Sequence, residues 1–426
     1  MPTEVRDHAS AAALMCDVAE DGELHVVSPM FPGQPDQLLT ALITEGARRG
    51  IGLVLYTADL SGRYEFAADL DPAAAGVRIV TIGGRVSTRL APMIDYLPVT
   101  LFEIDRSFAE RRIRVDVFAA QVTAPDADGY CSFGPVVSYS PAAMSAARMV
   151  VLEVNDGFPR MQGYRGVQRD AADVVVLAGA DDVRELGAAV AGPVEETIGG
   201  LLAALIPNGA TTQLGIGAIP ERFLSALAGH KDLRIHSGAI PEAAIELIDA
   251  GVFSGGDAHL TTSLLGTRRL YEYAADPRNG IRVEPVSLTH APTTLMDVGP
   301  LFSVNSAFEV DLSGQVNAEY SGGRKRASAG GQSDFGRWAH LTGANIIAIR
   351  ARTRSGGPSI VPTLSAPYAV TTHRSDLDYV VTEYGVASLR SKTLRQRAEA
   401  LAAIAAPEHR AQTEAAVAGA VMVDAT

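Results

Sequence analysis

Two distant stretches of this chain share one layout: a β-type run, a loop rich in glycine or proline, and an amphipathic helix opening just after a proline. The first reads Leu24-His-Val-Val27, then Ser28-Pro-Met-Phe-Pro-Gly-Gln-Pro35, then Asp36-Gln-Leu-Leu-Thr-Ala-Leu-Ile. The second reads Thr211-Thr-Gln-Leu214, then Gly215-Ile-Gly-Ala-Ile-Pro220, then Glu221-Arg-Phe-Leu-Ser-Ala-Leu-Ala. Proline suits a first helical turn because its missing N–H would be unpaired there anyway. A motif that runs strand, loop, helix, and recurs, predicts two similarly wound halves. Alternating strands and helices form mainly parallel sheets whose faces the helices cover.

Further strands are expected at Ile51-Gly-Leu-Val-Leu-Tyr and Val77-Arg-Ile-Val-Thr-Ile-Gly-Gly in the first half, and at Leu233-Arg-Ile-His and Asn345-Ile-Ile-Ala-Ile in the second. The change-over is placed near Ala191-Gly-Pro193, before the helical run that starts at Val194. This gives an α/β chain of two domains, residues 1–192 and 193–426. With 426 residues, 47% of them hydrophobic and 20% charged, the chain has enough apolar material for both.

The same composition excludes several classes. The net charge of −13 argues against a nucleic-acid footprint, which needs clustered basic residues. There is no apolar run long enough to span a bilayer and no basic-then-apolar amino end, so a soluble, cytoplasmic protein with no membrane partner is expected. The two cysteines, Cys16 and Cys131, have no metal-ligand spacing and read as free thiols, so no metal site is expected.

Glycine loops leave several of the expected strands, and such loops can hold an anion through backbone N–H groups and a helix amino terminus. Gly215-Ile-Gly-Ala-Ile-Pro lacks the third glycine and downstream acid of a dinucleotide fingerprint, and no Gly-Lys-Ser/Thr phosphate loop occurs. Taken singly, each glycine pair is equally a tight strand-to-helix turn. Gly322-Gly-Arg324 and Gly330-Gly-Gln-Ser-Asp-Phe335 lie close together, and combine permissive backbone with Arg324, Gln332 and Asp334. That grouping reads as a site more than a spacer.

From about Leu101 to Arg410 the chain resembles the acetyl-CoA hydrolase/transferase family, which includes acetate, butyrate and 4-hydroxybutyrate CoA-transferases. The matching phrases are Gln121-Val-Thr-Ala-Pro-Asp-Ala-Asp-Gly-Tyr-Cys-Ser-Phe-Gly134, Glu153-Val-Asn-Asp-Gly-Phe-Pro-Arg160 and Gln213-Leu-Gly-Ile-Gly-Ala-Ile-Pro220. They continue as Asn305-Ser-Ala-Phe-Glu-Val-Asp-Leu-Ser-Gly-Gln-Val-Asn-Ala-Glu319, Gly330-Gly-Gln-Ser-Asp-Phe335 and Asp378-Tyr-Val-Val-Thr-Glu-Tyr-Gly-Val-Ala-Ser-Leu-Arg390. The resemblance implies two CoA-transferase-like α/β domains, a coenzyme A thioester as substrate, no permanently bound cofactor, and a homodimer. It assigns CoA contact and oxyanion stabilisation to Gly215, Ile216, Gly217 and Ala218 and to Gly330, Gly331 and Gln332, with Asp334 beside them.

In that family a glutamate carboxylate attacks the thioester and relays CoA through a glutamyl-CoA intermediate. The residue lies two positions after a histidine, in a His-Thr-Glu phrase. Here the phrase is His236-Ser237-Gly238. A second departure follows Arg160, where the family has a Ser-x-Ile-His phrase and this chain reads Tyr164-Arg-Gly-Val-Gln-Arg169.

Each candidate carries two readings at this level. His236 is either a general base, since an imidazole titrates near neutrality, or a hydrogen-bonded structural histidine. Glu242 is either a substitute acid or a helix-dipole-favoured surface residue. Glu309 and Glu319 either face the cleft or pair with Arg324 or Arg326. Trp338 and Tyr384 are expected to pack the second domain. Three functions stay open: an acyl-CoA enzyme that transfers its acyl group directly to water or another acceptor, a carboxylate CoA-transferase working through Glu242 or another acid, and a non-catalytic CoA-binding subunit.

Overall fold

Runs of valine, isoleucine and alanine become strands buried on both faces. In the computed structural model, which describes residues 1–71, 76–85, 87–177, 183–255, 259–364 and 369–420, the contacts between residues divide the chain into two compact units. The first is Met1–Leu186 with Leu260–Thr289, and the second is Gly187–His259 with His290–Thr426.

The first unit is built on β1 (Thr3–Val5), β2 (Glu23–Val27), β3 (Gly52–Asp59), β4 (Val77–Gly84), β5 (Ile94–Tyr96), β6 (Val117–Val122), β7 (Met149–Val154) and β8 (Val174–Val176). They form one sheet in the order β1-β8-β7-β6-β2-β3-β4-β5, every neighbouring pair parallel. β6 is buried at all six of its residues, as a strand covered on both faces must be. Helices His8–Cys16 and Asp36–Arg49 set Ala11, Met15, Leu38 and Leu42 against Leu24, Leu53, Leu55 and Ile79. The second helix has Asp36 in its first turn and Arg48 and Arg49 in its last, each sign opposite to the helix-end charge, and Gly50 closes it in the left-handed region at φ 71°.

The second unit is built on β9 (Thr211–Leu214), β10 (Arg234–Pro241), β11 (Leu301–Ser306), β12 (Ala344–Ala348), β13 (Tyr379–Thr382) and β14 (Gly385–Ser388). The order is β10-β9-β11-β12-β13-β14, parallel except for the β13-β14 hairpin. The helix Pro193–Ala203 opens on the proline that marks the change-over in sequence. A small cluster of Leu295, Leu301, Phe335 and Ala339, with Trp338 packed at its edge, joins helices Pro292–Asp297 and Gln332–Thr342 to β11.

Two large, mainly parallel sheets are thus the architecture that the repeated strand-loop-helix layout predicts. Several boundaries differ from expectation. The division at 192/193 is a single cut, whereas residues 260–289 go back into the first unit, where Val137 N–H donates to Thr262 C=O at 3.1 Å and Tyr164 N–H to Val283 C=O at 3.0 Å. The helix expected from Glu221 begins three residues earlier, at Ala218, so Pro220 sits inside its first turn, where its missing N–H still removes no helical hydrogen bond. The strand expected at Leu233–His236 runs on to Pro241, and the helix behind it spans Ala244–Asp249. Tyr384 is 36% exposed rather than packed, with the Arg352 guanidinium 5.6 Å from its ring.

The Tyr164–Arg169 phrase has a local structural role in the first unit. Val167 and Gln168 pair antiparallel with Cys131 and Tyr130, and the Arg165 guanidinium lies 3.9 Å from the Tyr130 ring centroid while also contacting Asp128. Gly166 has φ +105°, and a Cβ there would fall 1.9 Å from the Cys131 carbonyl oxygen. Gly166→Ala is therefore expected to lower the unfolding free energy by roughly 2–5 kcal/mol, from left-handed strain plus backbone overlap. A denaturant titration with an unchanged slope would measure it.

Candidate active site

The candidate residues of the second unit gather at the carboxyl ends of its central strands, where ligands of open parallel sheets bind. β9 and β10 pair in register only at Thr211–Arg234 and Thr212–Ile235. Beyond that the Ser237 hydroxyl takes over: it accepts from Leu214 N–H at 3.0 Å and donates to Leu214 C=O at 3.1 Å. Ser237 is fully buried, so this clamp fixes where β9 ends and where Gly238 stands on β10.

From Leu214 the chain enters the Gly215–Ala218 turn. Gly215 N–H donates to Val304 C=O at 3.0 Å, and a Cβ on Gly215 would lie 3.1 Å from that same oxygen, so closeness of backbone selects glycine here. Gly217 differs: it has φ 112° and ψ −174°, a region open essentially to glycine alone, with nothing within 4 Å of a built Cβ. It precedes the helix Ala218–Ala226, whose first N–H groups receive no side-chain cap from it. Ile216, between the two glycines, is 38% exposed. Behind this turn Gln213, Ser303 and Asn305 form a buried amide–hydroxyl network: Ser303 Oγ donates to Gln213 Oε1 at 2.5 Å and Asn305 Nδ2 to the same atom at 2.9 Å.

The other glycine loop opens the helix Gln332–Thr342. Gly330 is left-handed at φ +57° with open space around it, and Gly331 precedes the helix. Gln332 is held by Thr372, its Nε2 donating to the Thr372 hydroxyl at 3.0 Å, and Ser333 Oγ donates to Thr371 C=O at 2.5 Å. Thr371 in turn donates to Glu319 Oε1 at 2.9 Å. Glu319 pairs with Lys325 at 3.0 Å, rather than with Arg324 or Arg326 as the sequence suggested. Burial pushes the Lys325 ammonium below the usual lysine range, with Glu319 working against that shift. Asp334 is half-buried in the first turn of the same helix.

Successive strand residues alternate faces, so His236 and Gly238 share one face of β10. Phe335 meets both: its ring is 6.1 Å from that of His236, and its Cε2 would lie 3.5 Å from a Cβ on Gly238. His236 is 3% exposed. The sequence reading missed the third member of this group, His290, which follows Thr289 just before the helix Pro292–Asp297. His290 is 1% exposed, and its ring lies 4.6 Å from Phe335. The only sequence signal was a histidine two residues ahead of a helix-opening proline.

Glu242 stands apart from this group. It follows Pro241, the last residue of β10, and its C=O accepts from Ile245 N–H at 3.1 Å in the turn that starts the next helix. Three strand residues alone place Pro241 roughly 10 Å along β10 from Gly238. Burial pushes the thiols of Cys16 and Cys131 up, which keeps both protonated and poorly nucleophilic. Burial pushes the half-buried Glu309 carboxyl up as well.

Parallel sheets with glycine turns at their carboxyl ends offer the crevice in which open α/β folds bind ligands, and the proteins that this chain matches make it an acyl-CoA transferase or hydrolase type of enzyme. The chain belongs to the acetyl-CoA hydrolase/transferase family: residues 92–175 match the family's N-terminal domain and residues 266–417 its C-terminal domain. It is 38% identical over 390 residues to a 4-hydroxybutyrate coenzyme A transferase of Clostridium kluyveri, covering 89% of this chain and 90% of that one. Among solved structures it is similar to RipA from Yersinia pestis, at 27% identity and TM-score 0.87 over 98% of this chain and 97% of that one. It is also similar to a 4-hydroxybutyrate CoA-transferase from Porphyromonas gingivalis, at 28% identity and TM-score 0.78 over 98% and 97% of the two chains.

Two outcomes follow from this geometry. Ser237→Ala leaves both polar groups of buried Leu214 without the hydroxyl and should cost about 1–3 kcal/mol in a denaturant titration. Burial, and to a smaller extent the charge of His236, pushes the His290 imidazole down to about 3. Its folded pKa thus lies below that of the unfolded chain, so its contribution to stability is complete above about pH 6.5 and is lost as pH falls towards 3. Between pH 7 and pH 5 the loss is about 2 kcal/mol. His290→Gln should remove that part of the slope, read from the difference between the two pH–stability curves.

Proposed function

We propose that this protein binds an acyl-CoA thioester and transfers the acyl group directly to an acceptor, without a glutamyl-CoA intermediate. Water, an amine, an alcohol or a carbon nucleophile are the acceptor classes. One observation carries the reading: at the position where the family resemblance expects the attacking glutamate, β10 carries Gly238, and the side chains that meet that position are His290 and Phe335. Neither can form the acyl anhydride on which a carboxylate relay depends.

In this reading the turns at Gly215–Ala218 and Gly330–Gln332 hold the CoA and donate N–H groups to the thioester oxygen. Each such donor is commonly worth about 2.7–4 kcal/mol in the transition state. The acceptor X–H adds to the carbonyl carbon, the C–S bond breaks, and the departing CoA sulfur gains the proton that X loses. His236, on the same face of β10 as Gly238, is the predicted residue that would move that proton, and Asp334 lines the helix start beside Gln332. Glu242 as a substitute nucleophile gains no support from its place in the turn beyond the end of β10. The reading takes the chain as a homodimer that carries no permanent cofactor.

The name of the Clostridium relative makes a short hydroxyacyl-CoA the first substrate to test. The protein is incubated with acyl-CoA, reduced with borohydride, and measured by intact mass. The expected result is release of free CoA thiol with the protein mass unchanged. A glutamate reduced to an alcohol, at Glu242 or elsewhere, overturns the proposal.

A further inference from the structure

Glycine at 238 and glycine at 331 have a common neighbour. A Cβ on Gly238 would lie 3.2 Å from His290 Nε2 and 3.5 Å from its Cε1, and a Cβ on Gly331 would lie 2.6 Å from Nε2 and 3.0 Å from Cδ2. One edge of the imidazole therefore fills the gap between a strand and a helix start that are separate in sequence. Backbone conformation is not the reason for either glycine. Gly331 has φ −93°, and Gly238 is absent from the residues with positive φ, so any L-residue could adopt both conformations. Gly330 next door is the opposite case, left-handed with nothing near a built Cβ. At 331 the requirement is space, and at 238 a Cβ would be tight by a few tenths of an ångström against the imidazole.

The ring that needs the space has little room to withdraw. His290 is 1% exposed and packs 4.6 Å from Phe335, itself 1% exposed within the Leu295, Leu301 and Ala339 cluster. Close-packed interiors accommodate an added carbon only by shifting several neighbours at once.

We infer that His290 determines what position 238 can carry: seated between Gly238 and Gly331, with Nε2 3.2 Å from where a Cβ at 238 would stand, it crowds any side chain there and so bars a carboxylate nucleophile from the thioester site. The steric half stands on these contacts alone, and the half concerning the thioester rests on the proposed function. With the imidazole removed, a glutamate at 238 has the room to run the relay. Its oxygen attacks the thioester carbon and CoA thiolate leaves. The thiolate then attacks the glutamyl carbon of the anhydride and expels the substrate's acyl group as a carboxylate, with no net gain of protons or electrons.

The test has two arms. In the first, Gly238→Ala, His290→Ala and the double variant are compared by denaturant midpoint. Gly238→Ala is expected to lower the midpoint when His290 is present, and to leave it unchanged or raise it in the His290→Ala background. In the second, CoA exchange between acyl-CoA and a free carboxylate is followed in Gly238→Glu and in Gly238→Glu/His290→Gly. The single variant should stay near background and the double should exchange roughly tenfold faster or more, with a glutamyl-CoA adduct trapped by borohydride. Equal destabilisation by Gly238→Ala in both backgrounds overturns the inference, as does a single Gly238→Glu variant that exchanges as fast as the double. An adduct trapped on the wild-type protein overturns the direct-transfer reading instead, and leaves the stability cycle to decide the role of His290.

Discussion

The Ser237 hydroxyl holding both polar groups of Leu214 is the interaction on which the second unit's site depends. Backbone pairing between β9 and β10 stops after Thr212–Ile235, and two parallel strands released from their ladder would otherwise diverge freely. The side chain replaces the missing rungs with bonds of 3.0 and 3.1 Å. Leu214 can then end β9 cleanly and Gly215 can turn away, while β10 continues for several more residues and presents Gly238 on the same face as His236. A serine that reads in sequence as the middle of a three-residue motif is, in the fold, the joint between the end of β9 and the continuation of β10.

Much of the architecture was legible because its signals are local. Strand, loop and proline-opened helix are written consecutively at Leu24–Ile43 and Thr211–Ala228, and the valine-rich runs that follow leave few alternatives to a covered parallel sheet. What the sequence hid depends on distance. His290 lies far along the chain from Gly238, and nothing in Thr-His-Ala-Pro announces that its ring ends between two glycines. Strand length was also underestimated at β10, because Ser-Gly reads as a break by propensity, whereas the buried hydroxyl clamp overrides that propensity. The Glu319 partner was misassigned for a related reason. Arg324 and Lys325 are adjacent, and the Tyr320–Lys325 cross-strand pairing decides which of them faces the carboxylate.

The two glycine loops also separate two uses of the same residue. Gly217 and Gly330 are there for backbone conformation, with open surroundings that a ligand could enter. At Gly331 the His290 Nε2 stands 2.6 Å from the place of a Cβ, and at Gly215 and Gly238 the nearest atoms stand 3.1 and 3.2 Å away, close enough to crowd a side chain. Sequence alone presents the four loop glycines as one signature and Gly238 as a missing glutamate, and of the five only Gly217 and Gly330 have nothing within 4 Å of a built Cβ.

Residues 260–289 belong to the first unit although most of the preceding seventy residues belong to the second. On a growing chain the eight-stranded sheet of the first unit can assemble early, but the partners of Val137 and Tyr164 emerge only after β9 and β10 have been made. The hydrogen bonds that close the first unit therefore draw on chain that lies beyond two strands of the second. His290, the first residue after that return, is where the chain re-enters the second unit, so its seat between Gly238 and Gly331 is also the point at which the excursion ends.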